Sequence, residues 1–147
     1  MISRRSNATK LFALLALVAA FAACAKDSPT SPPATRLAFG AWGGDHAQIV
    51  ASDSVTEVSY GCTYGEFTGS IPLDVNGRFA VNGTYDPYFS PVSGDEPMPA
   101  QLSGLVEGNT LTFAIAVSDT VGDRVISLGP AVVVLGQPAD IVVCPVL

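Results

Sequence analysis

Residues 101–117, QLSGLVEGNTLTFAIAV, carry the clearest structural signal in this chain. From residue 111 to residue 117, large apolar side chains alternate with small or polar ones. This period of two places the large side chains on one buried face of a β-strand. These side chains are Leu111, Phe113, Ile115 and Val117. Because Glu107-Gly108-Asn109 interrupts the alternation with turn-forming residues, we predict a hairpin of strands 101–106 and 110–117.

The same pattern of short apolar runs between turn residues extends in both directions from this hairpin. A second hairpin is predicted for strands 71–75 and 78–85, because Asn76-Gly77 between them tolerates positive φ at both positions. Residues 86–99 contain prolines that exclude a central strand, so we expect a loop there. The remaining predicted strands are 36–41, 46–51, 55–63, 124–128, 131–135 and 139–144.

These elements predict an all-β domain over residues 35–147. Frequent Gly and Pro turns, with no helical period outside the N-terminus, are typical of a small antiparallel β-barrel, lipocalin-like or similar. A two-sheet β-sandwich is the alternative, because both architectures are built from short strands with similar alternation. The chain of 147 residues is long enough for one domain of this kind.

The N-terminus predicts an export signal over residues 1–23. Three basic residues and no acidic one occupy the first ten positions, and residues 11–23, LFALLALVAAFAA, follow as 13 unbroken apolar positions. A membrane-spanning helix needs about 20 such residues. The segment is therefore typical of the short helix of a cleavable signal peptide.

Phe21-Ala22-Ala23-Cys24 resembles the lipobox of bacterial lipoproteins. In that family the cysteine is acylated and becomes the first residue of the mature chain. The resemblance implies that Cys24 carries the lipid and holds the protein in a bilayer at the bacterial cell envelope, at the outer membrane or on the periplasmic face. Residues 24–34 then form a Ser- and Pro-rich linker. Ordinary cleavage after Ala25 is the alternative, and it would release a soluble secreted protein.

With Cys24 assigned to the lipid, Cys62 and Cys144 remain as an even pair. In an oxidising compartment such a pair predicts a disulfide. The bond would tie an early strand to the C-terminus, as the closure of a barrel requires.

The charge balance disfavours nucleic acid as a partner. Three of the seven basic residues lie in the signal segment, so the mature chain has four against 13 acidic residues and a net charge of −9. Nucleic-acid binding depends on clustered Lys and Arg that displace counterions, and this chain has no such cluster.

The candidate contact residues are Trp42, Asp45, His46 and Tyr64. Asp45 and His46 follow a glycine pair, where they could orient a ligand or simply form a turn. His46 is the single histidine, and the sequence has neither a nucleophile motif nor regular metal-ligand spacing. We therefore predict no catalytic residue, no metal site and no cofactor, and we expect a protein that is not an enzyme.

The segments GAWGGDH, YGCTYG, LDVNGRFAVNGTY and LSGLVEGNTLTF, with a terminal cysteine, resemble a group of uncharacterised bacterial exported proteins. The resemblance covers most of residues 39–144 and implies no activity. In that group a histidine often follows the middle cysteine by two positions, where this chain has Tyr64.

The sequence thus predicts a non-catalytic envelope lipoprotein with a binding or structural role. Its partner would be an envelope protein, a glycan or a small apolar ligand. The alternatives are a lipocalin-like carrier of a small apolar ligand and a protease-inhibitor-type barrel.

Overall fold

The computed structural model describes residues 34–88, 96–140 and Cys144. The predicted signal peptide, Cys24 and almost all of the linker lie outside these residues. The described residues belong to one compact unit. They form eight strands: β1 Gly40–Gly44, β2 Ala47–Ala51, β3 Val55–Tyr60, β4 Thr63–Thr68, β5 Arg78–Asp86, β6 Met98–Glu107, β7 Thr110–Asp119 and β8 Arg124–Leu135.

The eight strands form a closed antiparallel barrel in which each pairs with the next and β8 returns to β1. This up-and-down order confirms the predicted barrel and excludes the two-sheet sandwich. Closure removes the exposed edges that an open sheet of these strands would present. The β1–β8 contact is short, running from Trp42 opposite Leu135 to Gly44 opposite Val133.

Large side chains from every part of the sheet fill the barrel interior. One inward row crosses five strands in register, as Trp42, Ile49, Val58, Gly65 and Tyr85. Gly65 has no side chain because a Cβ there would collide with the Tyr85 ring. The predicted buried face of β7 is confirmed, since Leu111, Phe113, Ile115 and Val117 are all buried.

The two ends of the barrel differ in their connections. The proximal end is the end at which the chain arrives from Ala34, and it holds the β2–β3, β4–β5 and β6–β7 connections. Leu37 and Ile71 are buried there, and the Leu37 amide donates to the Ile71 carbonyl at 2.9 Å. The distal end holds the other four connections, among them Asp45-His46 and Gly61-Cys62.

The predicted hairpin around Asn76-Gly77 is wrong. Residues 71–75 form no strand and contribute one isolated bridge, Arg36 to Pro72. The Asp74 carboxylate accepts the backbone N–H groups of Asn76 and Arg78, each at 2.8 Å. A side chain that takes these donors competes directly with strand pairing. The segment is consequently a loop between β4 and β5.

Other strand boundaries also differ from the prediction. Gly61, with φ of 58°, forms a turn with Cys62 that divides the predicted strand 55–63 and begins the unpredicted β4. The strand predicted at 36–41 instead begins at Gly40 and includes the Trp42-Gly43-Gly44 segment. The two strands predicted at 124–128 and 131–135 are the single strand β8. Of the strand predicted at 139–144, residues 141–143 lie outside the described part.

The C-terminal segment, residues 136–140, crosses the outer surface of β1. Gly136 donates its amide to the Ala41 carbonyl at 2.8 Å, and Asp140 donates to Gly44 at 3.0 Å. The crossing requires Gly43, since a Cβ at that position would collide with the backbone of residues 137–139. The segment therefore lies directly against the outer face of β1.

Candidate functional site

Asp45 and His46 form the tight β1–β2 connection at the distal end. The His46 backbone has φ of 54°, and its amide donates to the Asp140 carbonyl at 3.2 Å. Its imidazole Nε2 lies 3.4 Å from Asp45 Oδ1, and the two side chains are 56% and 85% exposed. The pair is therefore available to solvent and to a partner.

Tyr64 lies on the outer surface of β4 and is 57% exposed. The strand register places it opposite Ser59, which is in turn opposite Gln48. Adjacent strands in a sheet are about 4.8 Å apart. These three side chains thus form a polar and aromatic row across β2, β3 and β4.

The C-terminal segment and the disulfide convert this row into a cleft. The predicted bond between Cys62 and Cys144 is present, with 5.6 Å between the Cα atoms. It joins the β3–β4 turn to the chain beyond Asp140. We call the resulting depression of about 230 Å³ the distal cleft; its lining includes His46, Gln48, Ser59, Tyr64 and Asp140.

Trp42 does not belong to this surface. Its side chain is 1% exposed, and its indole N–H donates to the Ala38 carbonyl at 3.0 Å. It packs inside the barrel because it precedes the outward Gly43 by one residue on β1. The structure therefore brings His46, Tyr64 and both cysteines together, with Asp45 beside them, but keeps Trp42 in the core.

The surface around the distal cleft is acidic. Glu57 and Glu66 stand directly opposite each other on β3 and β4, and both are exposed. Like charges in this position destabilise a sheet. Asp86 is the cross-strand neighbour of Tyr64 on β5. In the described ranges, the ion pairs are Asp45–His46 and Asp119–Arg124, and neither neutralises Glu57 or Glu66.

A second group of polar side chains at the distal end was not predicted from the sequence. Asp119 is buried and accepts hydrogen bonds from Arg124 Nε at 2.9 Å and the Tyr88 hydroxyl at 3.1 Å. The Gly122 and Val121 amides also donate to it, at 2.8 and 3.1 Å. The Gly122 hydrogen bond above all, with those from Arg124 and Tyr88, lowers the pKa of Asp119.

This carboxylate holds the β7–β8 turn and ties it to Tyr88, two residues beyond the end of β5. An acidic residue at the start of a turn is a recognisable local signal for the contacts with Val121 and Gly122. The contact with Tyr88, 31 residues away in the chain, has no local signal. An open cleft of about 730 Å³ adjoins this group. We interpret the group as a structural clasp, because the hydrogen bonds of Asp119 all go to residues of the two neighbouring connections.

Among residues 34–88, 96–140 and Cys144, no three His, Cys, Asp or Glu side chains are grouped as metal ligands would be. Within the same ranges, no helix is long and apolar enough to cross a membrane. The fold and surface together define an eight-stranded up-and-down barrel with a polar cleft at one end, beside an acidic stretch of the sheet surface. Neither a family model, nor a curated protein, nor a solved structure matches the chain.

Proposed function

We propose that this protein is an exported envelope lipoprotein whose barrel is a non-catalytic binding domain. Its lipid would be attached at Cys24, and its binding surface would be the distal cleft. The signal-like N-terminus supports export to the envelope. The Cys62–Cys144 disulfide supports it independently, because structural disulfides persist in oxidising compartments.

The opposite placement of chain entry and cleft is the observation that carries this proposal. The chain arrives at the proximal end, where Leu37 pairs with Ile71, whereas His46, Tyr64 and the disulfide lie at the distal end. A protein anchored through residues before Ala34 would keep the distal end free of its own anchor. Such an arrangement suits a domain that meets a partner away from the bilayer.

The packing of the interior argues against the carrier alternative. Trp42, Phe67, Tyr85 and Phe113 are among the largest fully buried side chains and occupy the barrel core. A lipocalin-like carrier encloses its ligand in that space. The exposed Asp45–His46 pair likewise lacks the water-excluded setting in which a general base is most effective.

The anchor is tested by the intact mass of the mature protein. A lipoprotein would begin at Cys24 and carry the mass of its acyl chains. A chain beginning unmodified at Lys26 would contradict the anchor and leave a secreted domain.

The binding role is tested by site-specific photocrosslinking in intact cells. A photoreactive phenylalanine analogue at Tyr64 should form a discrete adduct with an envelope component. The same analogue at Val75, which is 83% exposed at the proximal end, is the matched control. Equal labelling from both positions, or none from Tyr64, would argue against the distal cleft as the binding surface.

A further inference from the structure

We infer that the distal cleft receives a lysine or arginine side chain from a basic segment of a partner protein. The inference rests on the proposed function and names the partner chemistry at that same site. It is carried by the shape of the cleft, by the exposed aromatic ring at its edge and by the distribution of charge over the barrel.

The cleft has the dimensions and the groups that a long cationic side chain requires. Its volume of about 230 Å³ is small, and the Tyr64 ring at its rim is more than half exposed. A cation over an exposed aromatic face is attracted by the quadrupole of the ring. Asp140 on the opposing C-terminal segment is the acidic residue of the lining, and Gln48 and Ser59 also line the cleft.

The arginines of the described residues lie away from this surface. Arg36 and Arg78 are at the proximal end, and Arg124 is bound to Asp119 on the far side of the distal end. No Lys or Arg is among the described residues that line the cleft. A basic segment approaching the distal end would therefore be attracted and oriented by an uncompensated acidic surface.

The opposed glutamates on β3 and β4 point to the same kind of partner. Glu57 and Glu66 repel each other across the sheet in the isolated domain. Glu66 is two residues from Tyr64 along β4, on the same outer face. A basic segment lying along this face would relieve that repulsion, whereas a neutral or anionic ligand would not.

The chain provides a selective reporter for the test. His46 is its single histidine and lines the cleft, so its imidazole C–H signals in a proton NMR spectrum are unambiguous. The exported, processed protein is titrated with hexalysine at low salt. We expect saturable shifts of the His46 signals that are lost at high salt, as electrostatic contacts require. Hexaglutamate should leave these signals unchanged.

Matched variants assign the binding to the cleft. Asp140→Asn and Tyr64→Leu should each raise the Kd for hexalysine roughly two- to fivefold, the range of exposed ion-pair and cation–π contacts. Asp53→Asn removes the same charge from an exposed turn at the proximal end and should leave the Kd unchanged. The variants' unfolding midpoints establish that each is folded.

Two results would overturn the inference. Equal weakening by Asp53→Asn and Asp140→Asn would indicate general attraction to an acidic protein rather than a cleft. Saturable shifts of His46 with chitotetraose but not with hexalysine would make the ligand a glycan. Neither result bears on the photocrosslinking at Tyr64, so the proposed binding role can survive the loss of this inference.

Discussion

Thr56 and Tyr85 are two polar side chains held inside the barrel, and they differ in how their hydroxyl groups are satisfied. Thr56 Oγ1 is buried and has no hydrogen-bond partner among the described residues. The Tyr85 hydroxyl lies 2.9 Å from Thr63 Oγ1. An unpaired buried hydroxyl costs stability, whereas a hydrogen bond compensates for the burial of a paired one. Each residue therefore leads to a prediction of its own.

Thr56→Val should stabilise the domain by about 1–2 kcal/mol, because it replaces an unpaired buried hydroxyl with a methyl group of similar size. Urea unfolding measures the change. Thr56→Ser is the matched control, since it keeps the hydroxyl and removes the methyl, and it should lower stability by about 1 kcal/mol. A loss of stability in both variants would mean that the Thr56 hydroxyl makes a stabilising contact.

The buried Tyr85 hydroxyl should make the domain less stable at alkaline pH. Burial raises the pKa of its hydroxyl to about 12, whereas an unfolded tyrosine ionises near 10. Above pH 10 the unfolded chain loses this proton first, so the free energy of unfolding should fall as pH rises from 10 to 12. At pH 11 this ionisation should lower the free energy of unfolding by about 1 kcal/mol.

The alkaline loss is measured by urea unfolding at pH 9 and pH 11. Tyr85→Phe should reduce the difference between the two values. Tyr64→Phe, at an exposed position, should leave that difference as it is in the unmodified protein. An equal alkaline loss in the Tyr85→Phe variant would assign the effect to another group.

The position of the C-terminal segment depends on a single glycine of β1. It reaches the distal end by crossing Gly43, and its Asp140 both donates to Gly44 and accepts from His46. The segment therefore determines the backbone around His46 as well as one wall of the distal cleft. Packing at one glycine is in this way linked to the geometry of the candidate site.

Gly43→Ala should displace the C-terminal segment and lower the free energy of unfolding by about 1–3 kcal/mol, the usual cost of overpacking. Hydrogen exchange should show faster exchange at the Asp140 and His46 amides, whose bonds depend on that contact. Ala41→Ser adds one atom at an exposed, outward position of the same strand and should change stability by no more than about 0.5 kcal/mol. Unchanged exchange in Gly43→Ala would show that the segment tolerates a side chain beneath it.

Two contacts between distant parts of the chain hold the domain together. The short β1–β8 pairing closes the barrel, and the Cys62–Cys144 bond ties the C-terminal part of the chain to the β3–β4 turn. The bond joins residues 82 positions apart. A crosslink over so long a loop removes much of the conformational entropy of the unfolded chain. It also keeps the last part of the chain at the distal end, beside Tyr64.

Removal of the disulfide should therefore be strongly destabilising. For a loop of this length the chain-entropy relation gives about 4.5 kcal/mol. The double variant Cys62→Ser/Cys144→Ser, compared with the oxidised protein in urea unfolding, measures the loss. The double variant also avoids leaving one reactive thiol. A midpoint equal to that of the oxidised protein would indicate that the barrel closes without the bond.

Local patterns predicted a large part of this fold. The β6–β7 hairpin and its buried face were predictable because side-chain alternation and Gly108 act within a few residues. The cysteine pair was predictable because assigning Cys24 to lipid leaves an even number. Asp45, His46 and Tyr64 were predictable as candidates by residue type, but their proximity to one another across the distal cleft was not.

The amino-acid sequence by itself determined the β class of this protein, its main hairpin, the identity of its disulfide pair and the expectation of export. The tertiary structure alone decided that Asn76-Gly77 is not a hairpin turn, that Trp42 lies in the core and that Tyr88 reaches Asp119. It also placed the C-terminal segment over Gly43 to form the distal cleft. The reason is physical: alternation and turn residues act over a few positions, whereas closure of a barrel depends on backbone and side-chain contacts between residues far apart in the chain.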